Sequence, residues 1–163
     1  MKRIVCLFLC LCLFLPGCSG ELMKDSVTFY YPRREYLYGV EDGVIASEQR
    51  EASGHANDLH YLLSLYLIGP SNEDLTSLLP RDTRLIQALV QDGVITLELT
   101  DTTQSMTDTD FTLACACLTM TALSITGEST VTIISGSRTV TMSRDSLTLF
   151  DDSTAASTSE ETK

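Results

Sequence analysis

The chain has 163 residues, a formal net charge of −11 at pH 7, and 22 acidic side chains against 11 lysines and arginines. Its length is typical of one domain that can bury a proper hydrophobic core. Binding to nucleic acid is disfavoured, because proteins that bind phosphate backbones neutralise them with lysine and arginine.

Residues 1–17 have the pattern of an export signal. Lys2 and Arg3 precede an apolar run, Ile4–Leu15, which is too short for a spanning helix because a bilayer needs about 20 apolar residues. The run ends in Leu15-Pro16-Gly17-Cys18, which resembles the lipobox of bacterial lipoproteins, with proline where a small residue is usual. We therefore predict a lipoprotein signal peptide over 1–17 and lipidation of Cys18. A secretory signal with an incidental cysteine and an uncleaved anchor are the alternatives.

The segments around the predicted domain indicate where it lies. Residues 18–25 form a polar tether that reaches roughly 25 Å at most when extended. A domain over 26–150 would therefore lie close to the cell membrane, lipid-anchored on its extracytoplasmic face. Residues 151–163 lack apolar periodicity and are predicted to be a disordered acidic tail. Membrane attachment would depend on the lipid, because the acidic chain is itself repelled by anionic headgroups.

The domain begins with a strand and a hairpin. Apolar and polar residues alternate over Val27–Tyr31, and Pro32 ends this predicted strand. Tyr36–Val40 and Val44–Ser47 flank Asp42-Gly43, a dipeptide that favours the positive backbone angles of a tight hairpin turn. These residues are therefore predicted to pair with each other.

An amphipathic helix is predicted over Gly54–Ile68, because apolar residues recur there at helical spacing. Ser53 is its candidate N-cap, and Gly69-Pro70 is its stop signal. The residues predicted to face the core are Leu59, Leu62, Leu63, Tyr66 and Leu67.

A second helix is predicted to start after Thr107, which forms a capping box with Asp110, and to end at Gly127. Most of its circumference is apolar, which is typical of a central, largely buried helix. Its apolar stretch, Leu113–Ile125, is about two-thirds of the length that a bilayer requires, so the sequence excludes a membrane span here by length. Its main seam consists of Phe111, Cys115, Leu118, Ala122 and Ile125.

Two further hairpins and an edge strand complete the domain. The edge strand is predicted over Leu147–Phe150. The order of elements describes an α+β fold: a single small domain with a mixed or antiparallel sheet and two helices packed on one face. The hairpins are Leu85–Val90 with Val94–Leu99 around Asp92-Gly93, and Thr130–Ile134 with Arg138–Met142 around Ser135-Gly136-Ser137.

Few side chains suggest chemistry. His55 and His60 are five residues apart on the predicted helix and do not share a face, so His55 and Asp58 are interpreted as an ordinary surface pair. Cys115 and Cys117 are interpreted as small buried side chains. The sequence thus predicts no catalytic residue, no metal site and no cofactor.

Tyrosines cluster near the start of the domain and are the candidate interaction surface. Tyrosine gives a large amphipathic contact area at low entropic cost, and Tyr30 and Tyr38 are the two we assign to a binding surface. The alternative is that half of the cluster packs in the core while the rest covers the sheet. The cluster consists of Tyr30, Tyr31, Tyr36 and Tyr38.

Several of these segments together resemble the GerMN domain of sporulation and spore germination lipoproteins of the GerM type. The resemblance implies a small α/β fold similar to ring-building motifs, no known catalysis, and a role in envelope or sporulation assemblies at the outer face of the membrane. Family members often carry two copies of the domain, whereas this chain has room for one. The matching segments, in order, are Val27–Pro32, Leu67–Pro70, Leu78–Leu85, Asp92–Val94 and Val131–Ser137.

Two functions are compatible with these observations. The first is a lipid-anchored, extracytoplasmic, non-catalytic interaction protein of the bacterial cell envelope, with envelope proteins as partners and a possible place in sporulation or spore germination. The alternative is a lipoprotein enzyme or ligand binder acting near peptidoglycan. An interaction domain should expose an edge strand or an apolar patch, whereas an enzyme should have a deep pocket with a perturbed titratable group.

Overall fold

The computed structural model describes residues 25–35 and 43–147. These residues form six strands, two α-helices and two short 3₁₀ turns. The elements in chain order are β1 (Ser26–Pro32), β2 (Ile45–Glu51), α1 (Leu59–Ile68), β3 (Leu85–Gln91), β4 (Val94–Leu99), a 3₁₀ turn (Thr103–Ser105), α2 (Asp108–Thr126), β5 (Thr130–Ser135), β6 (Arg138–Ser143) and a second 3₁₀ turn (Asp145–Leu147).

The first strand is confirmed, but its pairing differs from the predicted hairpin. β1 pairs antiparallel with β2, with Pro32 opposite Ile45 and Ser26 opposite Glu51. The predicted pairing of Val44–Ser47 is therefore wrong, because Ile45–Ser47 pair with the end of β1. Their predicted partner, Tyr36–Val40, lies outside the described residues. The alternating pattern of β1 buries Phe29 and Tyr31 on one face, and β2 pairs along the whole length of this strand.

The first helix starts later than the sequence indicates. Ser53 and Gly54 have φ angles of +50° and +80°, which belong to a turn, whereas an N-cap needs extended backbone. Asp58 caps α1 instead, and its carboxylate accepts a hydrogen bond from the Tyr61 N–H at 2.9 Å. The end at Gly69 is confirmed, and Leu62, Leu63 and Tyr66 of the predicted stripe are buried.

The predicted hairpin of β3 and β4 is confirmed. Its two turn residues, Asp92 and Gly93, have φ angles of +53° and +80°, the positive pair that a tight hairpin turn requires. On β4 every second residue is buried, which places Ile95, Leu97 and Leu99 on the core side of the sheet.

The second helix has the predicted ends. Thr107 accepts a hydrogen bond from the Asp110 N–H, and Gly127 ends α2 in the left-handed conformation. With 19 residues, α2 is long and apolar enough to cross a membrane, so the length argument drawn from Leu113–Ile125 was wrong. More than half of its most apolar window is buried in the protein, which is typical of a core helix.

The strands divide between two sheets. β1 and β2 form one sheet, and the other has the order β3-β4-β5-β6 with β4 and β5 parallel. The α+β class and the mixed sheet are confirmed, although a single sheet was expected. The predicted edge strand at Leu147–Phe150 is wrong at its first residue, because Leu147 ends a 3₁₀ turn, and 148–150 lie outside the described residues.

α2 lies at the centre of the domain, between the two sheets. It packs along β1 and contacts β5 and β6, while α1 packs against β3 and α2. Phe111, Leu118 and Ala122 of the predicted seam are buried in one continuous core with Val131 and Ile133 of β5. The helices therefore leave one face of the four-stranded sheet uncovered.

Candidate functional site

An exposed apolar strand lies at one edge of the four-stranded sheet. Within residues 25–35 and 43–147, β3 pairs with β4 on one side only, and it carries three large apolar side chains that are well exposed: Ile86 at 55%, Leu89 at 45% and Val90 at 44%. A shift of register between Leu85 and Gln87 marks a bulge at the start of the strand. Unpaired backbone groups and apolar side chains make an edge strand a template for pairing with another chain.

In the two-stranded sheet, the edge of β1 that faces away from β2 is covered by α2. The Tyr30 N–H of β1 donates to the Thr121 Oγ1 of α2 at 2.9 Å, and the Ser124 hydroxyl donates to the Thr28 carbonyl at 2.8 Å. Side chains of α2 thus satisfy the backbone of β1 on the side away from β2. A partner strand cannot add to β1 there, which contrasts with β3.

A cleft of about 810 Å³ lies next to the start of β3. Its walls are the last turns of α1, the loop 69–77 and the segment 79–85. Among the residues that the structure describes, three arginines line it, namely Arg34, Arg81 and Arg84, and Glu73 is the single carboxylate residue. The cleft is therefore locally basic in a chain that is strongly acidic overall.

The loop 69–77 is held in place by a buried carboxylate. Glu48 of β2 accepts hydrogen bonds from the N–H groups of Ser71 and Asn72 at 2.9–3.1 Å. Arg50 forms an ion pair with Glu48 at 2.9 Å and donates to the Gly69 carbonyl at 3.3 Å. This wall of the cleft is preformed, because its backbone is bonded to a strand.

Two of the cleft arginines bond to backbone carbonyls. Arg34 donates through Nε to the Glu73 carbonyl at 2.9 Å, and Arg84 donates through one Nη to the carbonyls of Arg81 and Thr83, both at 2.9 Å. These bonds orient the guanidinium groups without neutralising their charge. The Arg81 guanidinium makes no hydrogen bond or ion pair within the described part of the chain, although the Arg81 carbonyl accepts from Arg84.

The histidine pair has an ordinary geometry. His55 lies in the turn before α1, not on the helix as predicted, and its Nδ1 is 3.8 Å from an Asp58 carboxylate oxygen. Its ring stacks on Tyr61 with centroids 4.1 Å apart. Both partners of the pair are half exposed, Asp58 is already engaged as a helix cap, and His60 is exposed on α1. No catalytic arrangement results.

The titratable groups with strongly shifted pKa values lie in the core. Burial raises the pKa of Cys115 and of Cys117 to about 12 in each case. Burial also raises the pKa of Tyr31 and of Tyr66, whose rings stack with centroids 4.5 Å apart. These groups stay neutral at physiological pH, and none of them lines the cleft.

The remaining predicted site residues are placed as follows. Tyr30 is half-buried, with its backbone bonded to α2, and Tyr31 packs in the core. Cys18 and Tyr38 lie outside the described residues. Within ranges 25–35 and 43–147, no group of three or more histidine, cysteine, aspartate or glutamate side chains could hold a metal ion.

Sequence reasoning missed both surfaces. The exposure of β3 could have been predicted, because the strand sequence LIQALVQ places apolar residues on both of its faces. In a strand with one buried face, apolar and polar residues would alternate. The cleft had no signal of this kind. Arg34 is far in sequence from Arg81 and Arg84, and only the packing of the loop 69–77 against β1 and β2 brings them to one cavity.

The comparisons with known proteins agree with this architecture. The family model described as Germane: Sporulation and spore germination matches residues 28–140. The first GerMN domain of the sporulation protein GerM from Bacillus subtilis is 14% identical, with a TM-score of 0.53 over 70% of this chain and 86% of that chain. The search of curated proteins found no match.

Two further solved structures have lower TM-scores. The tandem GerMN domains of GerM from Bacillus subtilis give 0.49 at 17% identity over 69% of this chain, which spans only 39% of that chain. A candidate lipoprotein from Clostridium perfringens gives 0.48 at 16% identity over 74% of this chain and 87% of that chain.

Proposed function

The chain belongs to the Germane family of sporulation and spore germination, and from this premise we propose that it is a lipid-anchored, non-catalytic interaction protein of the bacterial cell envelope. In this role its domain captures envelope proteins at the extracytoplasmic face of the membrane, within an assembly that serves sporulation or germination. Nucleic acid has no part in this function, and no cofactor is required.

The observation that carries the proposal is the free edge of β3. Ile86, Leu89 and Val90 are exposed there beside a strand backbone that has no partner on this side among the described residues, whereas α2 covers the comparable edge of β1. Proteins generally protect such edges with charge, proline or a covering element. An exposed apolar edge in a chain with 22 acidic residues is a costly feature that a partner strand would relieve.

The anchor is argued from the sequence. Lipidation of Cys18, after removal of residues 1–17, would hold the domain near the membrane on a short tether. Tethering raises the effective concentration of the domain toward membrane-associated partners, so a modest interface is sufficient for capture.

The alternative is an enzyme or ligand binder near peptidoglycan, which would use the cleft. Catalysis requires a nucleophile or an acid–base group at the reaction site. The strongly shifted groups of the described residues are all in the core. The cleft is lined mainly by arginines, hydroxyls and aliphatic side chains, with Glu73 as its one carboxylate among the described residues. This arrangement supports binding more than chemistry.

The experiment compares two lysine substitutions on the same sheet. Leu89→Lys places a charge on the exposed edge strand β3, and Thr141→Lys places the same charge on the exposed edge strand β6. Membranes carrying each full-length variant are crosslinked, solubilised and compared for captured envelope proteins. We expect Leu89→Lys to lose the partners that the wild type and Thr141→Lys retain. Equal capture by all three proteins would refute the assignment of β3.

A further inference from the structure

We propose that the cleft beside β3 binds an acidic, extended segment of a protein partner, with carboxylates on Arg34, Arg81 and Arg84 and aliphatic side chains on Ile68 and Leu85. The inference rests on the proposed interaction function and names the chemistry of the partner. It joins two surfaces, since Leu85 is both a wall of the cleft and the first residue of β3.

The first argument is the imbalance of charge. Only seven arginines and no lysine occur within residues 25–35 and 43–147, and three of these arginines line one cleft. With acidic residues outnumbering basic ones by 22 to 11 in the chain, an arginine would be expected to find a carboxylate nearby. Arg50 and Arg138 do so, at 2.9 Å and 2.6 Å.

The cleft arginines do not. The guanidinium groups of Arg34 and Arg84 bond only to carbonyls, and that of Arg81 has no polar partner within the described part of the chain. Each guanidinium therefore keeps donors for an external group. Planar guanidinium donors match carboxylate oxygens in a bidentate geometry. Three such groups around one cavity favour a ligand with more than one carboxylate.

The second argument is the mixed lining. Aliphatic side chains lie beside the arginines, and Ile68 at the end of α1 is 81% exposed. A small inorganic anion would gain no favourable contact with this apolar surface. A peptide segment that combines acidic and aliphatic side chains uses both parts, and its extended backbone can continue along the free edge of β3.

The third argument is preorganisation. The loop 69–77 is fixed by Glu48 and by the Thr76 N–H, which donates to the Pro32 carbonyl at 2.9 Å. Arg34 is fixed on the same loop through Glu73. A wall that is already ordered costs less entropy when a flexible segment binds.

The test uses the detergent-solubilised full chain and a fluorescent eight-residue peptide that alternates glutamate and valine. The control peptide has glutamine in place of glutamate. We expect the acidic peptide to bind at least about tenfold more tightly at low salt, and its affinity to fall as sodium chloride screens the charges. Equal affinity for the two peptides would refute the proposal.

Matched variants locate the binding. Arg81→Gln removes a cleft guanidinium that has no polar partner among the described residues, and Arg144→Gln removes an exposed arginine outside the cleft with the same change in net charge. We expect Arg81→Gln to weaken peptide binding about threefold to fivefold, as for one exposed ion pair, and Arg144→Gln to leave it unchanged. Equal weakening would show general electrostatic attraction and overturn the site.

Two outcomes separate this inference from the proposed function. If Arg81→Gln still captures envelope partners while Leu89→Lys does not, and the peptide does not bind, the interaction role stands and the cleft proposal fails. If inorganic phosphate displaces the peptide at micromolar concentration, the cleft is a site for compact oxyanions, and the assignment to an acidic segment is wrong.

Discussion

Two threonines in α2 allow a sharp test of how this helix is joined to β1. Thr119 and Thr121 are both fully buried, but only the Thr121 hydroxyl has a partner, the Tyr30 N–H of β1. The Thr119 Oγ1 has no hydrogen-bond partner among the residues that the structure describes. Substitution of either residue by valine keeps the branched shape and removes the hydroxyl. The two variants therefore differ mainly in whether a buried N–H group loses its acceptor.

The magnitudes follow from that difference. In Thr121→Val the Tyr30 N–H loses its acceptor, and an unsatisfied buried donor costs about 1–3 kcal/mol. In Thr119→Val a desolvated hydroxyl is replaced by a methyl group, which returns up to about 1 kcal/mol. For a domain of this size 1 kcal/mol corresponds to roughly 4 °C in Tm. We therefore expect Thr121→Val to lower Tm by about 4–12 °C and Thr119→Val to leave it unchanged or raise it slightly.

Thermal unfolding followed by circular dichroism measures both values. Hydrogen exchange at the Tyr30 amide provides a local readout, because exchange should become faster in Thr121→Val only. If both variants lose the same stability, the hydroxyl of Thr121 does not hold β1, and the shape of the side chain matters instead.

Three further expectations concern other parts of the chain. Cys18→Ala should abolish incorporation of a labelled fatty acid, and equal labelling of mutant and wild type would refute the lipoprotein assignment. Cys115 and Cys117 should resist a thiol reagent at pH 8 and react only on unfolding. Because burial raises the pKa of each thiol to about 12, the unfolded chain loses these protons at lower pH than the folded chain. The free energy of unfolding should therefore be flat at neutral pH and fall from about pH 9 upward. Rapid native-state labelling would contradict this burial. Gly136→Ala should destabilise the last hairpin by about 1–3 kcal/mol, since φ is +58° there and the added Cβ would collide with the Asp101 carboxylate; unchanged denaturant unfolding would show that the turn relaxes freely.

The parts of the fold that could be predicted are those with local chemical signals. The Asp92-Gly93 turn, the Thr107 cap and the Gly127 stop depend on a few neighbouring residues, and each was placed correctly. Ser53 misled because serine favours turns as well as caps, and its positive φ places it in a turn. The true cap, Asp58, has a turn between it and Ser53 that no apolar spacing reveals.

Long-range arrangements were harder to predict. The partner of β1 begins only at Ile45, well beyond Pro32 in the chain, and the Asp42-Gly43 signal favoured a nearer pairing for Val44–Ser47. The division into two sheets depends on how α2 lies between β1 and β5, which no single segment specifies. The cleft combines Arg34 with Arg81 through this same packing, so its charge pattern could not be read from composition.

The parallel seam between β4 and β5 has a consequence for the order in which the domain folds. The β3–β4 and β5–β6 hairpins close over short loops, whereas β4 and β5 can pair only after the chain has passed through all of α2. Closing that longer connection costs chain entropy before any contact across the seam compensates for it. We therefore expect α2 to belong to the folding nucleus, so that Leu118→Ala slows refolding in stopped-flow experiments while Leu89→Ala on the outer strand mainly changes unfolding. If Leu118→Ala and Leu89→Ala changed the refolding rate and the unfolding rate equally, the pairing of β4 with β5 would lie outside the rate-limiting step.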